Sequence, residues 1–237
     1  MTETPLHTEP PLPTAPALQA VVFDFDGTLA ELHIDFHEMR AAINELAAGF
    51  SLEPKDYAEF YILEMIETAG RHLGRRSAAD SQDFVNRATG MIEEREMQAA
   101  RKSELFPGVK EMLTMLKDRG VAIGIITRNC QAAVQTVFPD YPRYIGAIIS
   151  REMTRFVKPD PRHLTEMLTM LAVTPTRTLM VGDHPIDVRI GRDVGTLTAG
   201  VLTGTGSVED LRRTKPDFLL DNVLQVTDIV LNHHRPA

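Results

Sequence analysis

The sequence predicts an α/β fold: a parallel sheet covered by helices on both faces, with an all-helical module inserted after the first strand. Three observations predict it. Short apolar runs rich in branched residues alternate with helical patterns along the second half of the chain, as parallel strands joined by helical crossovers require. The runs are apolar almost without interruption, which suits strands buried on both faces. From about Glu31 to Glu104, helical spacing persists with no convincing strand.

The elements follow in order. Residues 1–17 (MTETPLHTEPPLPTAPA) read as a flexible tail, because Pro5, Pro10, Pro11, Pro13 and Pro16 prevent a regular helix or inner strand. The first basic side chain is Arg40, so a signal or transit peptide is not expected. Ala20–Phe25 predicts the first strand, closed by the turn signal Asp26-Gly27-Thr28. In the insert, Phe36, Met39, Ile43, Leu46 and Phe50 recur at helical spacing. Tyr57, Phe60, Tyr61, Glu64, Met65 and Ala69 suggest a second helix, and Phe84, Ala88, Met91 and Ile92 begin a third. Phe106-Pro107-Gly108 marks the exit. Val109, Met112, Leu113 and Leu116 then form a helix face that Gly120 is placed to end. Further strands are expected at Val121–Thr127, Tyr144–Ser150, Thr178–Gly182 and Thr198–Leu202, with a weaker one at Phe218–Leu220. Asp160 can cap a helix with Pro161 at its first position and Leu164, Met167, Leu168 and Leu171 as its buried stripe. His163, at the start of that helix, reads as a capping or surface residue. The division is residues 18–30 and 105–237 as the core and 31–104 as the insert.

The chain of 237 residues is long enough to bury a sizeable core. A formal net charge of -8 argues against nucleic acid as a partner. Its one cysteine, Cys130, excludes an internal disulfide, fits a reducing cytoplasm and reads as a packed thiol. No apolar run approaches the ~20 residues that span a bilayer, so no membrane partner is expected.

The chemistry gathers in loops that follow apolar strands. Asp24-Phe25-Asp26-Gly27-Thr28-Leu29 puts two carboxylates, two residues apart, on one side of a strand end. Such a pair is also common on surfaces, but burial of one acid near another needs a cation or a proton. Gly182-Asp183-His184-Pro185-Ile186-Asp187 adds two more acids after another strand. Acids converging at strand ends form an oxygen-rich site of the kind magnesium prefers. Thr127 ends a strand, where a hydroxyl can donate to a phosphate oxygen. Lys158 lies in Val157-Lys158-Pro159-Asp160-Pro161, where the prolines stiffen the loop.

In this order, DFDGTL, Thr127, the lysine of VKPDP and the GDxxxD loop resemble the four motifs of the haloacid dehalogenase superfamily. The resemblance runs from Ala20 to the C-terminus. It leaves residues 31–104 where that family's helical cap belongs. Gly200-Val201-Leu202-Thr203-Gly204-Thr205-Gly206-Ser207, followed by Glu209-Asp210-Leu211, is similar to the phosphoglycolate phosphatase-type branch. The resemblance implies a Rossmann-like core and a magnesium-dependent phosphatase. The substrate would be a small phosphorylated metabolite, phosphoglycolate-like or a sugar phosphate, hydrolysed through an aspartyl-phosphate. Asp24 would be the nucleophile and Asp26 the general acid and base. Asp24, Asp26 (through its carbonyl) and Asp183 would bind the metal, with Asp187 supporting. Thr127 would hold the phosphate and Lys158 would balance charge. Arg128 and Asn129 are expected to contact substrate, although Arg128 also suits a salt bridge. Arg71, Arg75 and Arg76 in the insert suit a substrate carboxylate or second phosphate, or a helix end. Arg128 and His184-Pro185 depart from the residues common at those places in the family. A phosphomutase or phosphotransferase of the same superfamily, and a non-catalytic binding module on the same fold, are the alternative readings.

Overall fold

The computed structural model describes residues 17–31, 33–57 and 61–233. Residues 1–16 of the expected tail lie outside them, as does Phe60 of the second expected helix.

Six parallel strands form one sheet in the order β3-β2-β1-β4-β5-β6. They are β1 (Ala20–Phe23), β2 (Ala122–Ile126), β3 (Ala147–Ile149), β4 (Thr178–Gly182), β5 (Leu197–Val201) and β6 (Phe218–Leu220). The helices are α1 (Phe36–Gly49), α2 (Ile62–Gly74), α3 (Ala78–Ala100), α4 (Val109–Asp118), α5 (Gln131–Val137), α6 (Arg162–Met170), α7 (Pro185–Val194), α8 (Val208–Arg213) and α9 (Val226–His233). Side chains alternate across each strand, which divides the core in two. Val21, Phe23, Ile125 and Val181 pack with Leu113 of α4 and Val230 of α9. On the other face, Val22, Ile126 and Met180 pack with Leu164 and Met167 of α6 and Ile190 of α7. Burial of each such side chain stabilises the fold by about 1.5–3 kcal/mol.

The order of strands positions the site. The chain moves outward from β1 through β2 to β3, then returns to lay β4 against the other side of β1. Loops leaving the carboxyl ends of β1 and β4 therefore diverge around a crevice, where ligands bind in open parallel sheets. Phe23 is in register with Ile125 of β2 and Val181 of β4. Asp24, Thr127 and Asp183 are the first residues after β1, β2 and β4, and consequently emerge at neighbouring strand ends.

Helices α1–α3 share a core of their own. Met39 and Ile43 of α1, Met65 and Leu73 of α2, and Phe84 and Ile92 of α3 are all buried within it. The chain enters and leaves this bundle through paired segments. Glu31 N–H donates to the Glu104 carbonyl (2.9 Å) and Phe106 N–H to that of Leu29 (3.0 Å). Among the described residues, no helix is long and apolar enough to cross a membrane.

Some boundaries differ from the expected ones. β1 stops at Phe23 because the chain curls back, with Gly27 at φ 79° and Asp26 bridged to Ala30. β3 is shorter than Tyr144–Ser150 because Tyr144 ends a 3-10 turn and packs its ring 5.5 Å from that of Phe138. α2 begins at Ile62, with Tyr61 as its N-cap. His163 is neither a surface residue nor a cap. It is fully buried, its Nδ1 accepts from the Lys158 N–H (3.1 Å), and its Nε2 lies 3.1 Å from the Ile149 carbonyl oxygen. Burial, then the Lys158 charge, lowers its pKa to about 4, so the ring is neutral at pH 7.

Candidate active site

A cavity of about 320 Å³ lies over the carboxyl ends of β1, β2 and β4. Its floor contains Asp24, Asp26, Thr127, Asn129, Lys158, Asp183 and Asp187. Its roof comes from α1–α3 and includes Phe36, Met39, Tyr61, Ile62 and Ile92. Phe36 and Tyr61, whose spacing places them on helix faces, are solvent-exposed and line this cavity instead of packing in a core.

Lys158 is the hub of the floor. Its ammonium donates to Asp24 Oδ1 (2.6 Å) and Asp187 Oδ1 (2.7 Å), and all three residues are buried. Burial alone would push the lysine pKa down. The Asp187 and Asp24 charges outweigh it and hold the ammonium above its ordinary range. The bond from the Lys158 N–H to His163 fixes the loop from below, a support that the lone histidine in sequence did not signal.

Asp26 is held from the β2 loop. Asn129 Nδ2 donates to Oδ1 (3.1 Å) and Oδ2 (3.2 Å), and the Thr127 hydroxyl donates to Oδ2 (3.3 Å). Burial first, and then the charge of Asp24, raises the Asp26 pKa to about 7 despite those bonds.

Asp183 is enclosed by loops. Its N–H donates to Thr28 Oγ1 (3.0 Å), while the Thr28 hydroxyl donates to Asp183 Oδ1 (3.3 Å). Thr205 N–H donates to Oδ2 (2.8 Å). The Thr203 hydroxyl reaches the Gly27 carbonyl (2.6 Å), which ties this loop to the turn after Asp24. A Cβ on Gly204 would overlap the Asp183 carboxylate, so the GTG run is needed for close approach. Burial and the charges of Asp24 and Asp187 push Asp183 up to about 8. Asp187, in the first turn of α7, is raised to about 6 by burial, against the pull of Lys158. Asp187 Oδ2 also accepts from the His184 N–H (3.3 Å), and His184 Nδ1 accepts from Ile186 N–H (3.2 Å). His184 thus serves as one half of a capping box on α7.

Oxygens of Asp24, Asp183 and Asp187 lie within 4.8 Å of one another. Three buried carboxylates facing a single ammonium, with Asp183 and Asp187 pushed up by burial, fit a hard divalent cation such as Mg2+.

Arg128 is engaged with the helical roof. Its Nη1 and Nη2 donate to Glu64 Oε1 (2.9 Å) and Oε2 (2.7 Å) of α2, and Nη1 also donates to the Lys158 carbonyl. The guanidinium lies 5.4 Å from the Tyr61 ring centroid, and Tyr61 meets the His184 ring edge-on at 5.8 Å. Two of the residues that depart from the family pattern, Arg128 and His184, thus converge on one tyrosine. Arg71, Arg75 and Arg76 do not line the cavity. Ile62 does, and Arg71 and Arg75 stand nine and thirteen residues further on, roughly 13 and 20 Å along the helix direction. Arg71 lies beside Glu67 (3.8 Å), and Arg76 donates to the Phe50 carbonyl (3.2 Å). Cys130 is buried against Ala100 and Ala133, and burial pushes its thiol up to about 11.

A Rossmann-like parallel sheet carrying these acidic loops at its strand ends defines a hydrolase class, and the family described as haloacid dehalogenase-like hydrolase matches residues 21–201. The chain belongs to that family. It is 26% identical to phosphoglycolate phosphatase 1 of Pseudomonas aeruginosa, over 86% of this chain and 76% of that one. It is 25% identical to the N-acetylmuramic acid 6-phosphate phosphatase of the same organism, over 90% of this chain and 95% of that one. Among solved structures, a hydrolase from Pseudomonas syringae aligns with a TM-score of 0.67 at 17% identity, covering 89% of this chain and 96% of that one.

Proposed function

We propose that this protein is a magnesium-dependent phosphatase that hydrolyses a small-molecule phosphate monoester through a phosphoryl group carried on Asp24. The observation that carries the reading is the ammonium of Lys158 shared between Asp24 and Asp187 (2.6 and 2.7 Å), with Asp26 held by a separate loop. The relatives named as phosphatases support it.

In this reading Asp24 attacks phosphorus in line, and the ester oxygen leaves from the opposite side. Lys158 offsets the repulsion between a carboxylate and a phosphate dianion. Asp26, with its pKa near 7, gives its proton to the leaving oxygen and then takes one from the water that hydrolyses the aspartyl-phosphate. Asn129 keeps Asp26 aimed, and the Thr127 hydroxyl turns from Asp26 to a phosphate oxygen. Asp24, the Asp26 carbonyl and Asp183 would hold Mg2+, with Asp187 supporting. When bound, the ion supplies charge stabilisation to the transferring phosphoryl oxygens. Residues 31–104 act as a cap over residues 18–30 and 105–237, excluding bulk water, with Arg128–Glu64 as the clasp between them.

The test is phosphate release from para-nitrophenyl phosphate. Turnover is expected with magnesium and is expected to vanish with a chelator and in Asp24→Asn. Turnover that survives Asp24→Asn would reject the reading.

A further inference from the structure

Away from the acids, the cavity wall is mostly apolar. Met39 of α1, Ile62 of α2 and Ile92 of α3 turn part of the helical core toward it. Two further side chains on that wall stand out. Phe36 opens α1 and Tyr61 precedes the first turn of α2, and both line the cavity. They are 46% and 43% exposed, and they are the only aromatic ones among the exposed large apolar side chains of the described residues. Apolar surface left in water is costly, so an exposed aromatic pair in a concave site marks a place that a ligand covers. The Tyr61 ring is also held in position, with the Arg128 guanidinium 5.4 Å from its centroid and the His184 ring edge-on at 5.8 Å. A ring held in advance offers contact without the entropy cost of ordering it on binding.

The charged side chains on the same side are already engaged. Glu96 accepts from Arg151. Arg128 is bound by Glu64 through both terminal nitrogens. Arg40 Nη1 is directed at Met65 Sδ (2.8 Å). A ligand that reaches from the acids toward the starts of α1 and α2 therefore meets mainly carbon. A carboxylate placed there would lose water and gain little in return.

We propose that the leaving group is an apolar alcohol, alkyl or aryl, seated against Phe36 and Tyr61, which makes these two the residues that select the substrate. Hydrolysis would release that alcohol, protonated by Asp26, and inorganic phosphate. This inference rests on the phosphatase reading above and names the substrate class of the same site.

The test compares ethyl, butyl and hexyl phosphate with 2-phosphoglycolate, using the full chain and magnesium. The three alkyl leaving groups differ little in acidity, so differences among them report contact and not intrinsic reactivity. In the wild-type protein kcat/KM is expected to rise about 10-fold for every two methylenes added, the worth of burying them. Hexyl phosphate is expected to exceed 2-phosphoglycolate. Phe36→Ala and Tyr61→Ala are each expected to lower the hexyl-to-ethyl ratio by about threefold or more. A structural role alone would lower all rates together, leave that ratio unmoved and overturn the proposal. A flat or falling wild-type series, or a preference for 2-phosphoglycolate, would overturn it as well. Phosphate release from para-nitrophenyl phosphate by the same preparation would then show that the phosphatase reading stands without it. Should the variants fail to fold, the wild-type series decides. If no ester is hydrolysed, the phosphatase reading fails, and calorimetric binding of the same four esters decides on the apolar wall. Affinity that rises with chain length upholds it, and any other result, including no binding, overturns it.

Discussion

The cavity has two walls built on different rules. On the strand-end wall each charged group is tied to another part of the core: Lys158 to Asp24 and Asp187, Asp26 to Asn129, Asp183 to Thr28 and Thr205. On the helical wall the side chains are mostly apolar, and Glu96 is paired with Arg151. The strand register delivers the first wall, because Asp24, Thr127 and Asp183 follow residues already locked in β1, β2 and β4. The second wall depends on how α1–α3 dock. The contrast separates chemistry from choice of substrate: one wall can stay fixed while the other varies.

Breaking the strand-end wall at its centre has the largest expected effect. Asp24→Asn keeps the volume but removes the nucleophile, and phosphate release should fall at least about 1,000-fold. Next is Lys158→Met, which leaves Asp24 and Asp187 buried without their shared cation. Urea unfolding should show a loss of about 3–5 kcal/mol.

The same wall predicts a pH dependence. Unfolded carboxyls titrate near 4, whereas Asp187, Asp26 and Asp183 are raised to about 6, 7 and 8. Between those values the folded protein binds more protons than the unfolded chain. Without metal, this contribution to stability is fully present below about pH 4 and is lost as the pH rises through 6 to 8. Magnesium favours the ionised acids, so thermal unfolding followed across that range should flatten when it is added. A metal-free protein that gains stability from pH 5 to 8 would contradict the burial of these acids.

The join between the walls should matter less. Glu64→Gln weakens a half-buried bidentate pair with Arg128 and should cost about 1 kcal/mol. A double-mutant cycle with Arg128→Gln should return coupling of that size and a KM effect larger than the kcat effect. The smallest effect is expected from replacing Arg71, Arg75 and Arg76 together by alanine. They do not line the cavity, and kcat/KM should stay within about twofold of wild type, as for surface substitutions.

The difference between the walls also explains what the sequence could disclose. The sheet was legible because its strands are buried on both faces and read as continuous apolar runs. The floor was legible because its residues sit at the ends of those runs. Three supports were not. Thr28 and Thr205 lie in loops where a threonine carries no signal of its own, and both bond to Asp183 only after the loops close around Gly204. His163 reads as a capping or surface residue because its partners, Lys158 and Ile149, come from outside its own helix. The roof was least legible. Phe36 and Tyr61 have the spacing of core residues yet line the cavity, and Glu96 is one acid among several on α3. Helical periodicity tells which face is apolar; it does not tell what that face meets.

The central claim is that Asp24 itself carries the phosphoryl group during turnover. Acid quenching of the enzyme during hydrolysis with magnesium, followed by peptide mass spectrometry, tests it directly. The account predicts a phosphoryl adduct on the peptide that contains Asp24, absent in Asp24→Asn. Sustained turnover with the adduct on another residue, or on none, would contradict it.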